Sequence, residues 1–361
     1  FNVQKVVVAV NKSAYRALIT FTQEELDFIC QFVEEKVKEM QITEVPIATM
    51  HNIVEGALER VNPIVAKSYR DYRNYKQDFV QMLDEVYKKS QSIMYIGDKE
   101  NSNTDSALVS TKRSLIFNEL NKELYKKFFM TTEEIQACRD GYIYVHDMSA
   151  RRDTMNCCLF DVQSVLTGGF EMGNIWYNEP KSLDVAFDVI GDIVLSAASQ
   201  QYGGFTVPEV DKILSPYAEK TYQSALEKYH NLGVSDERAE EEAMKDVERE
   251  FEQGFQGWEY KFNTVASSRG DYPFITMTAG IGTDRFAKMA TIKMLEVRRK
   301  GQGKKDCKKP VLFPKIVFLY DENLHGPGKP LEDVFEAGVK CSAKTMYPDW
   351  LSLTGKGYIA S

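Results

Sequence analysis

With 361 residues the chain is long enough for two or more domains, each with its own core, and 43% hydrophobic with 27% charged residues is the balance of an ordinary globular protein. A net charge of −8 supplies no long-range field that would draw a polyanion, so no nucleic acid is expected as a partner. No apolar run approaches the roughly 18 residues of a membrane span, and the first residues lack a basic-then-apolar leader, so no membrane contact and a cytoplasmic location are expected.

The first ninety residues read as helices. Thr22 and Glu25 have capping-box spacing ahead of Leu26, Ile29, Val33 and Val37, which recur on one face to about Met40. Pro46 opens a second helix with Met50, Ile53, Val54 and Leu58, closed by Asn62-Pro63, and a third runs from about Ile64 to Tyr87. Residues 89 to 110 are polar and read as a helix-poor linker.

Beyond it helix and strand alternate. Thr131 and Glu134 repeat the capping-box spacing, and Gly141-Tyr142-Ile143-Tyr144-Val145 predicts a strand. Further strands are predicted at 157–162, 273–279 and 311–319, with helices at about 181–199, 210–231 and 235–253. The Glu-rich last of these reads as a solvated face. Strands separated by long helices define an α/β architecture.

Six cysteines, at 30, 138, 157, 158, 307 and 341, form no CxxC pair, so reduced thiols and no metal site are expected in this chain. Asn156-Cys157-Cys158 leads an apolar segment shortly after His146-Asp147. A free cysteine usually just packs, and adjacent strand residues point to opposite faces, so at most one of the two thiols can look into a given cavity. His146-Asp147 reads either as a substrate-positioning pair or as an Asx turn. Gly168-Gly169 and Gly203-Gly204 read as turns or as close backbone approaches to phosphate. Lys304, Lys305, Lys308 and Lys309 flank Cys307 in a solvated loop or a phosphate-attracting rim.

These segments share their order with a known family. Thr111-Lys112-Arg113-Ser114-Leu115, Gly141 to His146-Asp147, Asn156-Cys157, and Leu166 through Gly168-Gly169 to Gly173-Asn174 resemble the opening of the anaerobic (class III) ribonucleotide reductase catalytic domain. The order continues through Tyr202-Gly203-Gly204, Asn263-Thr264, Pro273-Phe274, Phe313-Pro314-Lys315 and Met346-Tyr347-Pro348-Asp349. Asn2, Lys5, His51 and the Tyr-Arg repeat from Tyr69 to Arg73 resemble the ATP-cone that precedes many such enzymes.

The resemblance implies an ATP-cone at 1–88, a linker at 89–104 and the first part of a ten-stranded α/β barrel of the glycyl radical enzyme type at 105–361. The chain opens at Phe1 without methionine and stops at Ser361 in mid-pattern, so the reading expects a fragment. A leading β-hairpin of the cone would precede it. The thiyl-forming cysteine, the radical glycine and a four-cysteine zinc site would follow it.

The implied activity is reduction of ribonucleoside triphosphates to deoxynucleotides by glycyl and thiyl radical chemistry. Cys157 would be the catalytic thiol opposite the thiyl cysteine, while Cys158 matches no functional position. Lys112, Arg113, His146, Asp147 and Asn156 would bind substrate, and Asn2, Lys5 and His51 would bind the effectors ATP and dATP. Gln200, Gln201 and Tyr202 would lie near a deoxynucleotide specificity site. Formate is the implied reductant, an iron–sulfur activating enzyme using S-adenosylmethionine the implied partner, and a homodimer or larger homo-oligomer the implied assembly. The alternatives are a glycyl radical lyase of the pyruvate formate-lyase kind, suggested by the adjacent cysteines, and a non-catalytic ATP-cone nucleotide sensor.

Overall fold

The computed structural model describes residues 2–42, 44–96, 107–151, 155–267 and 271–354. The chain divides into two compact units, residues 1–89 and 90–361.

The first unit is helical: α1 (Val3–Arg16), α2 (Gln23–Glu39), α3 (Ile47–Val61) and the start of α4 (Pro63–Ile96). The ends are set locally. Thr22 and Glu25 exchange side-chain and backbone hydrogen bonds in a complete capping box at α2. Asn62 closes α3, and its Oδ1 then accepts from the Ile64 and Val65 N–H groups at the head of α4, where Pro63 has no N–H to satisfy. Val6, Val10 and Ala14 of α1, Ile29 and Val33 of α2, Val54 and Leu58 of α3, and Val65 and Tyr69 of α4 form its core. α4 runs on to Ile96, so the expected helix-poor linker is helical at its start; 97–106 lies outside the described residues.

The second unit holds α5 (Val109–Phe129), α6 (Thr132–Arg139), β1 (Cys158–Leu159), α7 (Val162–Leu166), the hairpin β2 (Phe170–Met172) and β3 (Ile175–Tyr177), α8 (Leu183–Ala198), β4 (Phe205–Val207), α9 (Val210–Asn231) and α10 (Asp236–Thr264). There follow β5 (Ile275–Ala279), α11 (Arg285–Lys300), the hairpin β6 (Gln302–Lys304) and β7 (Cys307–Lys309), β8 (Lys315–Tyr320), α12 (Glu332–Thr345) and β9 (Asp349–Ser352). Five strands form one all-parallel sheet in the order β1-β4-β5-β8-β9. Parallel neighbours require long crossovers, and the intervening helices supply them. The α/β class holds, and the sheet is an open array of five strands rather than a closed barrel.

Alternation sorts the two faces of that sheet. Phe205, Val207, Ile275, Met277, Ala279, Ile316 and Phe318 are buried in one core with Phe187 and Ile190 of α8, Leu214 of α9, Phe251 and Trp258 of α10, and Met294 of α11. The register Leu159–Thr206–Thr276–Lys315 runs across the opposite face, with Thr278 and Val317 one step further.

Three local expectations are corrected. Residues 141–145 are not a strand: Gly141 takes φ +79°, and the Tyr142 and Ile143 N–H groups both turn back to the Ala137 carbonyl, closing α6. Among the described residues the β-branched and aromatic run pairs with no strand, and Tyr142 and Tyr144 stand exposed. The strand expected at 157–162 is only Cys158–Leu159, because Asp161 accepts from the Ser164 N–H and starts α7. The helix expected at 235–253 continues to Thr264, since Phe255, Trp258 and Phe262 extend its buried stripe.

Candidate active site

The segment leading into β1 lies alongside the segment leading into β4. The Tyr202 N–H donates to the Met155 carbonyl at 3.0 Å, Gly203 N–H to Asn156 at 2.6 Å, and Cys158 N–H to the Gly204 carbonyl at 3.1 Å. This ladder brings residues more than forty positions apart in the chain into register. Cys157 and Cys158 then diverge as alternation requires. Cys157 is exposed and belongs to the Leu159–Thr206 side of the sheet; Cys158 is half-buried and packs against the core.

Each thiol has its own neighbour. The Gly204 N–H donates to Cys157 Sγ at 3.2 Å. Cys158 Sγ donates to Gln201 Oε1 at 3.0 Å, and the same amide donates through Nε2 to the Gly204 carbonyl at 2.8 Å. Burial pushes the Cys158 thiol pKa up, and the neighbouring Cys157 adds to it. Gly203 must be glycine for this geometry, because a Cβ there would sit 2.6 Å from Cys157 Sγ and collide with Asn156 Oδ1 as well. Gln201, Tyr202 and Gly203 also border a cleft of about 490 Å³ whose walls include Tyr177, Leu195, Asp271 and Phe274.

Asn156 and Cys157 are therefore together. The other expected substrate residues lie elsewhere in the second unit. His146 Nδ1 pairs with Asp147 Oδ1 at 2.8 Å, His146 being largely exposed and Asp147 at φ +52° in a turn, the geometry of the turn reading. Lys112 and Arg113 lie in the first turns of α5, where Lys112 Nζ donates to the Met94 carbonyl at 3.0 Å. Of the expected specificity-site residues, Gln200 donates to Ser199 Oγ, Gln201 is buried beside Cys158, and Tyr202 Oη accepts from Ser149 Oγ at 3.3 Å.

In the first unit Asn2 Oδ1 caps α1 by accepting from the Gln4 N–H at 2.9 Å, and Lys5 is exposed on the same helix. His51 is half-buried, 2.7 Å from Tyr69 Oη; burial lowers its pKa, with Arg73 and Lys76 adding to the effect. A shallow depression along α1 is lined instead by Gln4, Val8, Asn11, Lys12, Tyr15 and Arg16.

Sequence reading gave no role to the row Thr206, Thr276, Thr278 and Lys315 on the face that carries Cys157. The signal was present as threonine at every second place in Ile275-Thr276-Met277-Thr278-Ala279. Thr278 Oγ1 accepts from the Glu209 N–H at 2.8 Å, and Lys315 Nζ lies 4.9 Å from the Phe274 ring centre. Among the described residues no three His, Cys, Asp or Glu side chains cluster as metal ligands, and no helix is long and apolar enough to cross a membrane.

This arrangement defines a class: a parallel α/β sheet that presents a thiol and a polar row from the face its helices leave open, preceded in the chain by a small helical unit. Residues 100–360 match the family model described as anaerobic ribonucleoside-triphosphate reductase, and residues 1–78 match the ATP cone domain. The chain belongs to the anaerobic ribonucleoside-triphosphate reductase family.

Its relatives include the anaerobic ribonucleoside-triphosphate reductase of Haemophilus influenzae, 30% identical over 98% of this chain and 50% of the relative. That of Enterobacteria phage T4 is 37% identical over 70% of this chain and 42% of the relative. The chain thus spans half the length, or less, of these curated relatives. The crystal structure of the anaerobic ribonucleotide reductase from Thermotoga maritima with citrate in the active site shares the fold. Its TM-score is 0.51 at 15% identity, covering 78% of this chain and 54% of that one.

Proposed function

We propose that this chain is the regulatory and first catalytic portion of an enzyme that reduces ribonucleoside triphosphates to deoxyribonucleoside triphosphates, in the cytoplasm and without oxygen. The observation that carries the reading is the placement of Cys157: a solvent-accessible thiol on the open face of the parallel sheet, its sulfur addressed by the Gly204 N–H and followed across the sheet by hydroxyls and Lys315. The family model and the named relatives support it.

In this reading the barrel runs from 105 to the end of the chain, the ATP-cone covers 1–88 and the linker 89–104. A radical generated on a glycine beyond this sequence and relayed through a second cysteine supplies the hydrogen abstraction that opens the reaction. Cys157 gives a hydrogen atom to the sugar carbon from which the hydroxyl leaves as water. Formate, oxidised to carbon dioxide, supplies the reducing equivalents. Asn156 holds the substrate beside Cys157, and Lys112, Arg113, His146 and Asp147 bind it from the segments that precede the sheet. ATP and dATP bind the cone through Asn2, Lys5 and His51, and a deoxynucleotide binds near Gln200 and Tyr202. A radical S-adenosylmethionine activating enzyme and a second copy of the protein are the partners. The lyase alternative needs both adjacent cysteines at one reacting centre, and the divergence of Cys157 from Cys158 speaks against it.

The test is a pair of single variants in the full-length protein. Cys157→Ala is expected to abolish deoxynucleotide formation while the glycyl radical signal still appears in electron paramagnetic resonance after activation. Cys158→Ala is expected to lose about 1–3 kcal/mol of stability through packing and keep measurable turnover. Normal turnover in Cys157→Ala would remove the role given to that thiol.

A further inference from the structure

Through one amide Gln201 meets both the thiol of Cys158 and the carbonyl of Gly204, whose N–H serves Cys157. It is 4% exposed. The orientation of its amide is set by its surroundings: Nε2 faces the carbonyls of Gly204 at 2.8 Å and Gly203 at 3.4 Å, so Oε1 must face Cys158 Sγ. The reverse orientation would press an amide oxygen against two carbonyl oxygens. With Oε1 there, the Cys158 hydrogen is held in a bond to it.

The Cys157 sulfur stands in the opposite relation. It accepts from the Gly204 N–H, so its own hydrogen is not engaged by that contact. Gly204 is in turn held at its carbonyl by Gln201 and by the Cys158 N–H. One side chain therefore ties up the hydrogen of one thiol and anchors the peptide that orients the other.

We infer that Gln201 is a positioning residue that sorts the two adjacent thiols, holding Cys158 as a hydrogen-bond donor and fixing Cys157, through Gly204, as the thiol with a transferable hydrogen. The inference rests on the reading of Cys157 as hydrogen donor, and it assigns Gln201 to the thiol pair rather than to a nucleotide specificity site. It also accounts for two adjacent cysteines in one chemistry: alternation separates their faces, and Gln201 separates their hydrogen-bonding states.

The test reads the S–H stretch directly. In infrared difference spectra of the full-length, unactivated protein, the band lost in Cys158→Ser is expected at lower wavenumber than the band lost in Cys157→Ser, because donating a hydrogen bond weakens the S–H bond. Gln201→Met, close in volume and without the amide, is expected to move the Cys158 band up and to lower kcat of the activated enzyme by about tenfold with KM for the nucleotide nearly unchanged. Gln201→Glu keeps the acceptor but not the donor, and is expected to leave the Cys158 band low while kcat falls as in Gln201→Met. Coincident bands in the unsubstituted Gln201 background overturn the sorting without any Gln201 variant having to fold. Separated bands with full kcat in Gln201→Met overturn the positioning role. Full turnover in Cys157→Ala would instead strike the reading of Cys157 and leave the band positions as they are.

Discussion

Arg298 of α11 and Glu259 of α10 form an ion pair out of contact with water, Nε to Oε1 at 2.6 Å with side chains 0% and 4% exposed. Arg298 also donates to the Pro314 carbonyl at 2.6 Å, and Gln302 donates to the second Glu259 oxygen at 2.6 Å. Asn263, one turn on from Glu259, both donates to the Phe313 carbonyl and accepts from its N–H. Two helices and the entry to β8 are thereby fixed together, and β8 carries Lys315 on the face that bears Cys157.

Removing one member of this pair leaves the other charged and buried. Arg298→Met is expected to cost about 3–5 kcal/mol, far above the 0–1 kcal/mol of the exposed pairs on this protein. The double variant Arg298→Met, Glu259→Leu is expected to recover part of that loss. Urea unfolding followed by tryptophan fluorescence reports on the second unit, because Trp176, Trp258 and Trp350 all lie there. A single variant that costs no more than an exposed pair would show that the charges are not isolated from water.

The first unit carries a pH dependence of its own. The folded-state pKa of His51 is lowered by burial first, then by Arg73 and Lys76, while the unfolded ring titrates near 6.5. Between those values the unfolded chain binds more protons, so the contribution is fully present above about pH 6.5 and is lost as pH falls through the folded value. Intrinsic-rate-corrected hydrogen exchange of peptides from α3 is expected to show protection falling as the pH is lowered from neutral through 6.5. His51→Gln should flatten that fall. An equal fall in the variant would assign it to other groups.

The same residue enters the effector prediction. Lys5→Ala with His51→Ala in the full-length protein is expected to weaken dATP binding at the cone by about tenfold or more, roughly 1.4 kcal/mol, in calorimetry. An unchanged dATP affinity would move the effector site off these residues. The depression lined by Asn11, Lys12, Tyr15 and Arg16 would then be the place to substitute next.

What the sequence made legible was local. The Thr22–Glu25 and Thr131–Glu134 caps and the helix at 210–231 each depend on neighbours within a turn or two, and each forms, while the strand expected at 273–279 forms as Ile275–Ala279 because β4 and β8 flank it. The run at 141–145 has strand propensity but no partner strand among the described residues, and pairing is a long-range property that propensity does not carry. The helices Arg285–Lys300 and Glu332–Thr345 escaped notice. The first has a buried Phe286, Ala290 and Met294 stripe whose pattern is diluted by six basic side chains, one of them, Arg298, itself buried. In the site, Asn156 and Cys157 stood out through motif order. The part played by Gln201 and Gly204 was not visible, because it arises from the parallel ladder that sets residues 155–158 beside 201–204.

Two glycines three residues apart on α10 separate packing from propensity. A Cβ on Gly254 would stand 2.5 Å from Phe187 Cγ, inside a cluster where the Phe187 ring meets Trp258 at 4.6 Å and Phe255 at 5.0 Å. A Cβ on Gly257 meets nothing within 4 Å. Replacing glycine by alanine in a helix interior stabilises by up to about 1 kcal/mol, whereas forcing a methyl into a filled core costs about 1–3 kcal/mol. Gly254→Ala is therefore expected to be destabilised by up to about 2 kcal/mol net, as α8 and α10 are pushed apart, and Gly257→Ala to be stabilised by a few tenths to about 1 kcal/mol. Urea midpoints of both variants decide the matter. If both moved in the same direction, backbone propensity rather than the seat of Phe187 would govern this crossing.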